Sequence, residues 1–187
     1  PGQLTVAVNT GDDFEHLGMH ISPDIDSVVY ALAGLSDPVR GWGRRDETWS
    51  FMETLRQLGG ETWFALGDRD LALHAERSRR LAAGATLTEV TDQLRRSLGI
   101  ASRILPMSDA PVRTRLRTDS GWLDFQDYFV RQRCEPVVRE IRYAGAEAAA
   151  PSPAVLAALA DPALRAIVIC PSNPLLSVGP MLAIPAL

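Results

Sequence analysis

Two short runs rich in β-branched residues, LTVAV at 4–8 and AIVIC at 166–170, constrain the fold more than any other feature of the chain. Each is short and breaks off into polar turn residues, the pattern of a strand buried on both faces of a parallel sheet. The expected fold class is therefore α/β. In open α/β sheets ligands bind beyond the carboxyl ends of the strands. That rule singles out NTGDD after the first run and PSNPLLS after the second.

The sequence between them is helical at first. DIDSVVYALAGL places Ile25, Val28, Val29 and Leu32 on one stripe and closes at Gly34, and DETWSFMETLRQLGG does the same with Phe51, Met52, Leu55 and Leu58. RDLALHAERSRRLAAG and TLTEVTDQLRRSLG follow, the latter opened by a Thr cap and closed by Gly99. Residues 35–100 thus read as a helical insertion or cap. From Ala101 the segments SRILPMSD, VRTRLRT, WLDFQDYFV and VREIRYAG read as strands, and PSPAVLAALADPALRA as a helix capped by Ser152. Residues 101–187 are the expected return to the sheet. The whole, 1–187, reads as a single and incomplete α/β domain, because it starts just ahead of a buried strand and stops at MLAIPAL.

Charge and composition narrow the chemistry. A net charge of −4 and a pI near 5.4 are not those of a surface that tracks a phosphate backbone, so no nucleic-acid partner is expected. All 19 basic residues are Arg. Without Lys there is no Schiff base and no Walker-type phosphate lysine, so anions fall to Arg forks, backbone amides or a metal. Cys134 and Cys170 are too few for a zinc ribbon or a disulfide framework, which makes a reducing, cytoplasmic location the expectation. No apolar run reaches membrane-spanning length and no signal peptide is expected, so no membrane partner is either.

Several motifs could carry chemistry. Asn9, Thr10, Gly11, Asp12 and Asp13 form a strand-end turn with two hard oxygen ligands, read either as a Mg²⁺ and substrate site or as solvated surface. SPDIDSVVY offers Ser22 as a helix cap, with Asp24 and Asp26 either supporting the helix dipole or adding a further carboxylate. His16 and His20 stand four residues apart, but Gly18 and the Ser22-Pro23 pair argue against a continuous helix and hence against a zinc pair. LGDRD sets Asp68, Arg69 and Asp70 at a helix entrance, where an Arg could grip phosphate or an ordinary salt-bridged helix could begin. PMSDAPVRT supplies Ser108, Asp109 and Thr114, small polar groups that suit a phosphate turn or a plain β-turn. Ser172 and Asn173 lie between two prolines that stiffen their loop. Trp42, Trp49 and Trp63 read as packing residues, although an aromatic near a pocket could stack on a flat ring.

In this order, NTGDDFEHLG, ISPDIDSVVYALAG, GWGRRDETW, LGDRDLALH, LPMSD, FQDYFV and PSNPLLSVGP resemble the phospholactate transferases of deazaflavin coenzyme F420 biosynthesis, including relatives that transfer phosphoenolpyruvate. The resemblance implies a Rossmann-like three-layer fold and a Mg²⁺-dependent reaction. A phospholactyl, phosphoenolpyruvyl or phosphoglyceryl unit would pass from a guanosine diphosphate ester to the 5-deazariboflavin Fo, with release of GMP. It also implies that Asp13 and Asp12 are catalytic and that Asp13 holds the metal. Asp13, Asn9, Thr10 and Ser50 would contact the acceptor, and Asp68, Arg69, Asp70, Ser108, Ser172 and Asn173 the nucleotide and phosphate. A homodimer is expected on the same ground.

The chain also departs from the family pattern. A glycine-rich turn that precedes NTGDD in the family is absent from this sequence, so weak nucleotide binding is expected. Ala110 replaces a second acidic residue, and Ser50 stands where some members carry a basic one. Two other readings stay open: a nucleotide-sugar or nucleotidyl transferase on a similar fold, and a catalytically empty deazaflavin-binding or interaction module.

Overall fold

Val6, Ala7 and Val8 find their partners far along the chain. In the computed structural model, which describes residues 4–187, β1 (Thr5–Val8) pairs in parallel with β4 (Arg103–Pro106), setting Val6 opposite Ile104 and Val8 opposite Pro106. Pro106 has no N–H to give, and the next donor, Met107 N–H, closes the pair on Val8 O at 2.8 Å. Helices α1 (Pro23–Leu32) and α4 (Leu87–Ser97) cover these strands. Ile25 and Val29, one turn apart on α1, join Tyr30, Leu87 and Ile100 in a core with Val8 and Ile104. The expected Thr cap is present as a reciprocal box: Thr86 Oγ1 accepts from Glu89 N–H at 3.2 Å, and Glu89 returns to Thr86 N–H at 2.8 Å.

The two serines expected as caps do other work. Neither Ser22 before α1 nor Ser152 before α5 (Pro153–Leu159) caps its helix through the side chain. Ser22 turns its hydroxyl to Asp13, and Ser152 meets Thr88 Oγ1 at 3.0 Å.

After the acidic turn, β2 (Phe14–His16) and β3 (Met19–Ile21) form a hairpin that the sequence reading did not anticipate. Its two-residue turn, Leu17 and Gly18, has φ of 51° and 74°, the left-handed pair that matches strand twist. Ile21 packs with Met52 of α2 (Ser50–Gln57) and with Leu66 just ahead of α3 (Asp68–Ala82). These two helices cap one another. Asp68 accepts from the amides of Ser50 at 3.1 Å and Phe51 at 3.0 Å, while Glu47 accepts from those of Arg69 at 2.8 Å and Asp70 at 3.0 Å. The exchange explains why α2 starts at Ser50 although its apolar stripe reads from Asp46: Asp46 has a φ of 58°, and Glu47 serves the other helix.

An antiparallel group follows, ordered β6-β5-β7, from β5 (Arg113–Thr118), β6 (Gly121–Asp124) and β7 (Glu140–Ala144). RTRLRT alternates as a half-buried strand should, with Thr114, Leu116 and Thr118 inward. On the outer side Arg115 reaches Asp124 at 2.9 Å and Arg117 reaches Glu140 at 3.0 Å. WLDFQDYFV is a strand only in its first part, since Asp127–Arg131 coil into a π-helical turn. A second π-helical turn, Pro174–Val178, leads into the one-turn helix α6 (Gly179–Leu182).

Two expectations are revised. The parallel character is confined, among the described residues, to β1 and β4, the other pairings being antiparallel. AIVIC is not a strand here. Residues 164–170 pair with no described strand, and Ile167, Val168 and Ile169 are 67%, 79% and 71% exposed. A strand exists through its neighbour, and an apolar run alone does not supply one.

Candidate functional site

The acidic turn is locked from three sides. Asn9 Oδ1 accepts from Gly11 N–H at 2.8 Å, Asp13 N–H reaches Thr10 O at 3.2 Å, and Thr114 N–H on β5 reaches Gly11 O at 2.7 Å. A Cβ on Gly11 would lie 2.7 Å from Thr114 Oγ1 and 2.9 Å from both Asn9 Oδ1 and Pro180 Cβ, so only glycine fits. The Asn9 amide donates to Asp24 at 2.8 Å and to Leu176 O at 3.2 Å. One side chain thus joins the end of β1, the start of α1 and the PSNPLLS loop.

Asp12 and Asp13 are 8% and 2% exposed, yet each keeps one oxygen, Oδ1, without a protein partner. The other oxygen of Asp13 accepts from Ser22 Oγ at 2.8 Å and faces His20 Nε2 at 3.1 Å. Burial, with the charges of Asp24 and Asp13 adding to it, pushes the Asp12 carboxyl up to about 8. Asp24 is raised as well, chiefly by burial, against the bond from Asn9. Hydroxyls Thr10 Oγ1 and Thr114 Oγ1 are likewise buried without partners.

Asp12, Asp13 and Thr114 border a cleft of about 540 Å³ that is also lined by Phe14, His16, Trp63, Arg113, Phe125 and Arg131. Trp63 stands edge-on to the His16 ring with centroids 5.1 Å apart, and the Arg131 guanidinium lies 5.3 Å from a Trp63 ring centre. Burial, with Arg131 adding to it, lowers the affinity of His16 for a proton against the pull of Glu61. The cleft therefore offers acid oxygens at its base, aromatic faces and arginine at its wall.

Among the described residues no three His, Cys, Asp or Glu side chains gather to form a metal cage. The residues present do fit Mg²⁺, which takes one or two carboxylates and fills the rest of its shell with water and phosphate oxygens. The partnerless Oδ1 atoms of Asp12 and Asp13 are that kind of donor.

The remaining predicted site residues lie elsewhere or are already engaged. Ser50 is exposed and gives its amide to Asp68, whose carboxylate also takes the Thr48 hydroxyl at 2.6 Å. Arg69 donates to Asp46 O at 2.6 Å. Asp70 takes the Tyr30 hydroxyl and stands 3.2 Å from His74 Nε2. Burial alone would raise Asp70, but the bonds and charge of His74, the Tyr30 hydroxyl and Arg77 hold it below the ordinary range. Ser108 Oγ donates to Ala150 O at 2.7 Å and accepts from Ala110 N–H at 3.0 Å, so it fastens a buried turn. Ser172 is exposed, and Asn173 Oδ1 accepts from the amides of Leu175 and Leu176 at 2.9 and 3.0 Å. Sequence reasoning weighed His20 only as half of a zinc pair, missed Arg113, Phe125 and Arg131, and read Trp63 first as packing, with stacking on a flat ring as the alternative. The signal for His20 was the Leu17-Gly18 pair, a hairpin turn that carries His20 back beside Asp13.

The family model described as 2-phospho-L-lactate transferase CofD matches residues 1–187. The chain belongs to this family. A phosphoenolpyruvate transferase of Kitasatospora aureofaciens is 42% identical over 99% of the chain and 59% of its own length. The 2-phospho-L-lactate transferase of Methanosarcina mazei is 42% identical over 99% of the chain and 60% of its length. The chain thus spans about three fifths of these CofD-family relatives. In fold it is similar to a crystal structure of a UPF0052 family member from Bacillus halodurans, with a TM-score of 0.60 at 16% identity, covering 100% of the chain and 56% of that protein.

Proposed function

We propose that this chain supplies the acceptor-side carboxylates of a transferase in coenzyme F420 biosynthesis. The enzyme moves a phospholactyl, phosphoenolpyruvyl or phosphoglyceryl unit from a guanosine diphosphate ester to the deazaflavin Fo and releases GMP. The observation that carries this reading is the pair of buried, partnerless carboxylate oxygens of Asp12 and Asp13 at the base of an aromatic-walled cleft. Membership of the CofD family supports it.

In this reading Asp13 orients the acceptor hydroxyl beside the metal, a role that needs a free oxygen on a carboxylate fixed by Ser22 and His20. Asp12 and Asp13 would hold Mg²⁺, whose chemistry there would be to neutralise charge building on the transferring phosphate. Asn9 and Thr10 shape the acceptor side, and the ring walls of Phe14, Trp63 and Phe125 suit a flat heterocycle. A three-layer Rossmann-like sheet with residues 35–100 as a helical insertion, a cytoplasmic location and a homodimer belong to the same reading.

A second reading is favoured by one observation: Asp68, Arg69, Asp70, Ser108 and Asn173, expected to hold nucleotide, are bonded within the fold. On that reading the stretch binds a deazaflavin without transferring anything to it. One experiment separates the two. Asp13→Ala in the full-length protein abolishes Fo-dependent GMP release if the transferase reading is right; unchanged turnover removes Asp13 from the reaction. Fo binding by fluorescence without any GMP release by the unmodified protein leaves the binding module.

A further inference from the structure

The ring that steadies Asp13 belongs to a residue whose backbone is held from outside its own sheet. In a two-residue hairpin the pair next to the closing pair exchanges no backbone bonds, and here that pair is Glu15 and His20. The N–H and C=O of His20 therefore point away from β2, toward α3. Both are met by consecutive α3 side chains. Ser78 Oγ accepts from His20 N–H at 2.8 Å, and Arg77 Nη1 donates to His20 O at 3.4 Å.

These two residues are themselves fixed. Ser78 Oγ donates back to His74 O at 2.7 Å. Arg77 is fully buried, and its guanidinium grips both oxygens of Asp26 on α1, with Nη1 3.1 Å from Oδ2. The His20 ring is in turn strung between Asp13 Oδ2 and Glu15 Oε1, at 3.1 Å each.

We propose that Arg77 and Ser78 are positioning residues for the transfer reaction, acting through His20 to set the orientation of the Asp13 carboxylate. The chain of contacts runs from α1 through the Arg77–Asp26 pair to the His20 backbone, then along the His20 ring to the oxygen beside the free one. Small rotations at that carboxylate matter because a displacement of about 1 Å at a reacting group costs about 10²-fold in rate. The inference rests on the reading of Asp13 as the carboxylate that meets the acceptor.

Arg77→Met leaves the buried Asp26 without its cation and is at risk of failing to fold, so the test uses Ser78. In the full-length protein, kcat and KM for Fo and the guanosine diphosphate ester are measured for Ser78→Ala, Ser78→Thr, His20→Gln and the Ser78→Ala/His20→Gln double variant, with Asp13→Asn as reference. The expected result is a fall of about tenfold in kcat for Ser78→Ala with both KM values unchanged. Ser78→Thr, which keeps the hydroxyl, restores kcat. In the His20→Gln background Ser78→Ala has no further effect, because both act on one path. Full kcat in Ser78→Ala, or losses that multiply in the double variant, overturns the proposal while leaving the transferase reading intact. Turnover that survives Asp13→Asn overturns that reading, and this inference with it.

Discussion

Asp12 is held with its charge disfavoured, and that has a consequence for stability. Its folded pKa of about 8 lies above the ordinary value of 3.8, so between these limits the folded protein binds a proton that the unfolded chain releases. The sign follows: this residue's contribution to stability falls as pH rises from about 4 to about 8. In metal-free protein the denaturant midpoint should decline over that window more steeply than in Asp12→Asn. Added Mg²⁺ should flatten the decline, since a cation at the site favours the ionised form. Equal slopes in the two proteins, measured in chelator, would place Asp12 outside the titrating set. At this scale the sequence marked a cluster of carboxylates at the end of β1 and was silent about their partners. Asp12, Asp13, Asn9 and Gly11 stand together in sequence, whereas Ser22 looked like a cap because a hydroxyl before a helix has two uses and only the fold chooses between them.

Helices α2 and α3 show why element boundaries were harder to read than element identity. The apolar stripe of α2 and its stop at Gly59 were visible in the order of residues. The start of α3 was legible too, since LGDRD marks Asp68 as a helix entrance, but that of α2 was not, because Asp68 caps it across a gap no local pattern reveals. This cap bears on the nucleotide role expected of Asp68. The hydrogen bonds it accepts from Thr48, Phe51 and Ser50 hold its pKa below the ordinary value against desolvation, so as a cap its carboxylate is already engaged. Asp68→Ala should lower the melting temperature of ligand-free protein and leave the KM for the guanosine diphosphate ester unchanged. A raised KM at an unaltered melting temperature would return Asp68 to the phosphate pocket. Hairpin β2–β3 was missed for a related reason: its three-residue strands are too short to show alternation, and only the Leu17-Gly18 turn marks it.

Across the whole molecule, the first half of the expected α/β pattern is present and the last element is not. β1, α1, α3 and α4 follow from β-branched runs, helical stripes, a Thr cap and terminal glycines, all local signals. The pairing of β1 with β4 and of β5 with β7 joins residues far apart in sequence, so order was legible but register was not. AIVIC carried the strand signal in full and nonetheless pairs with no described strand. Its last residue, Cys170, is exposed too, which turns it into a chemical reporter. With Cys134 replaced by Ser, a thiol reagent should modify Cys170 at the rate of an unprotected cysteine; markedly slower labelling would mean that something covers the segment. An uncovered run of this kind also leaves its amides and carbonyls available to any extended chain that meets them. The molecule should then show a concentration threshold above which copies zip together, and a single charged residue at Val168 should raise that threshold without touching the carboxylate site.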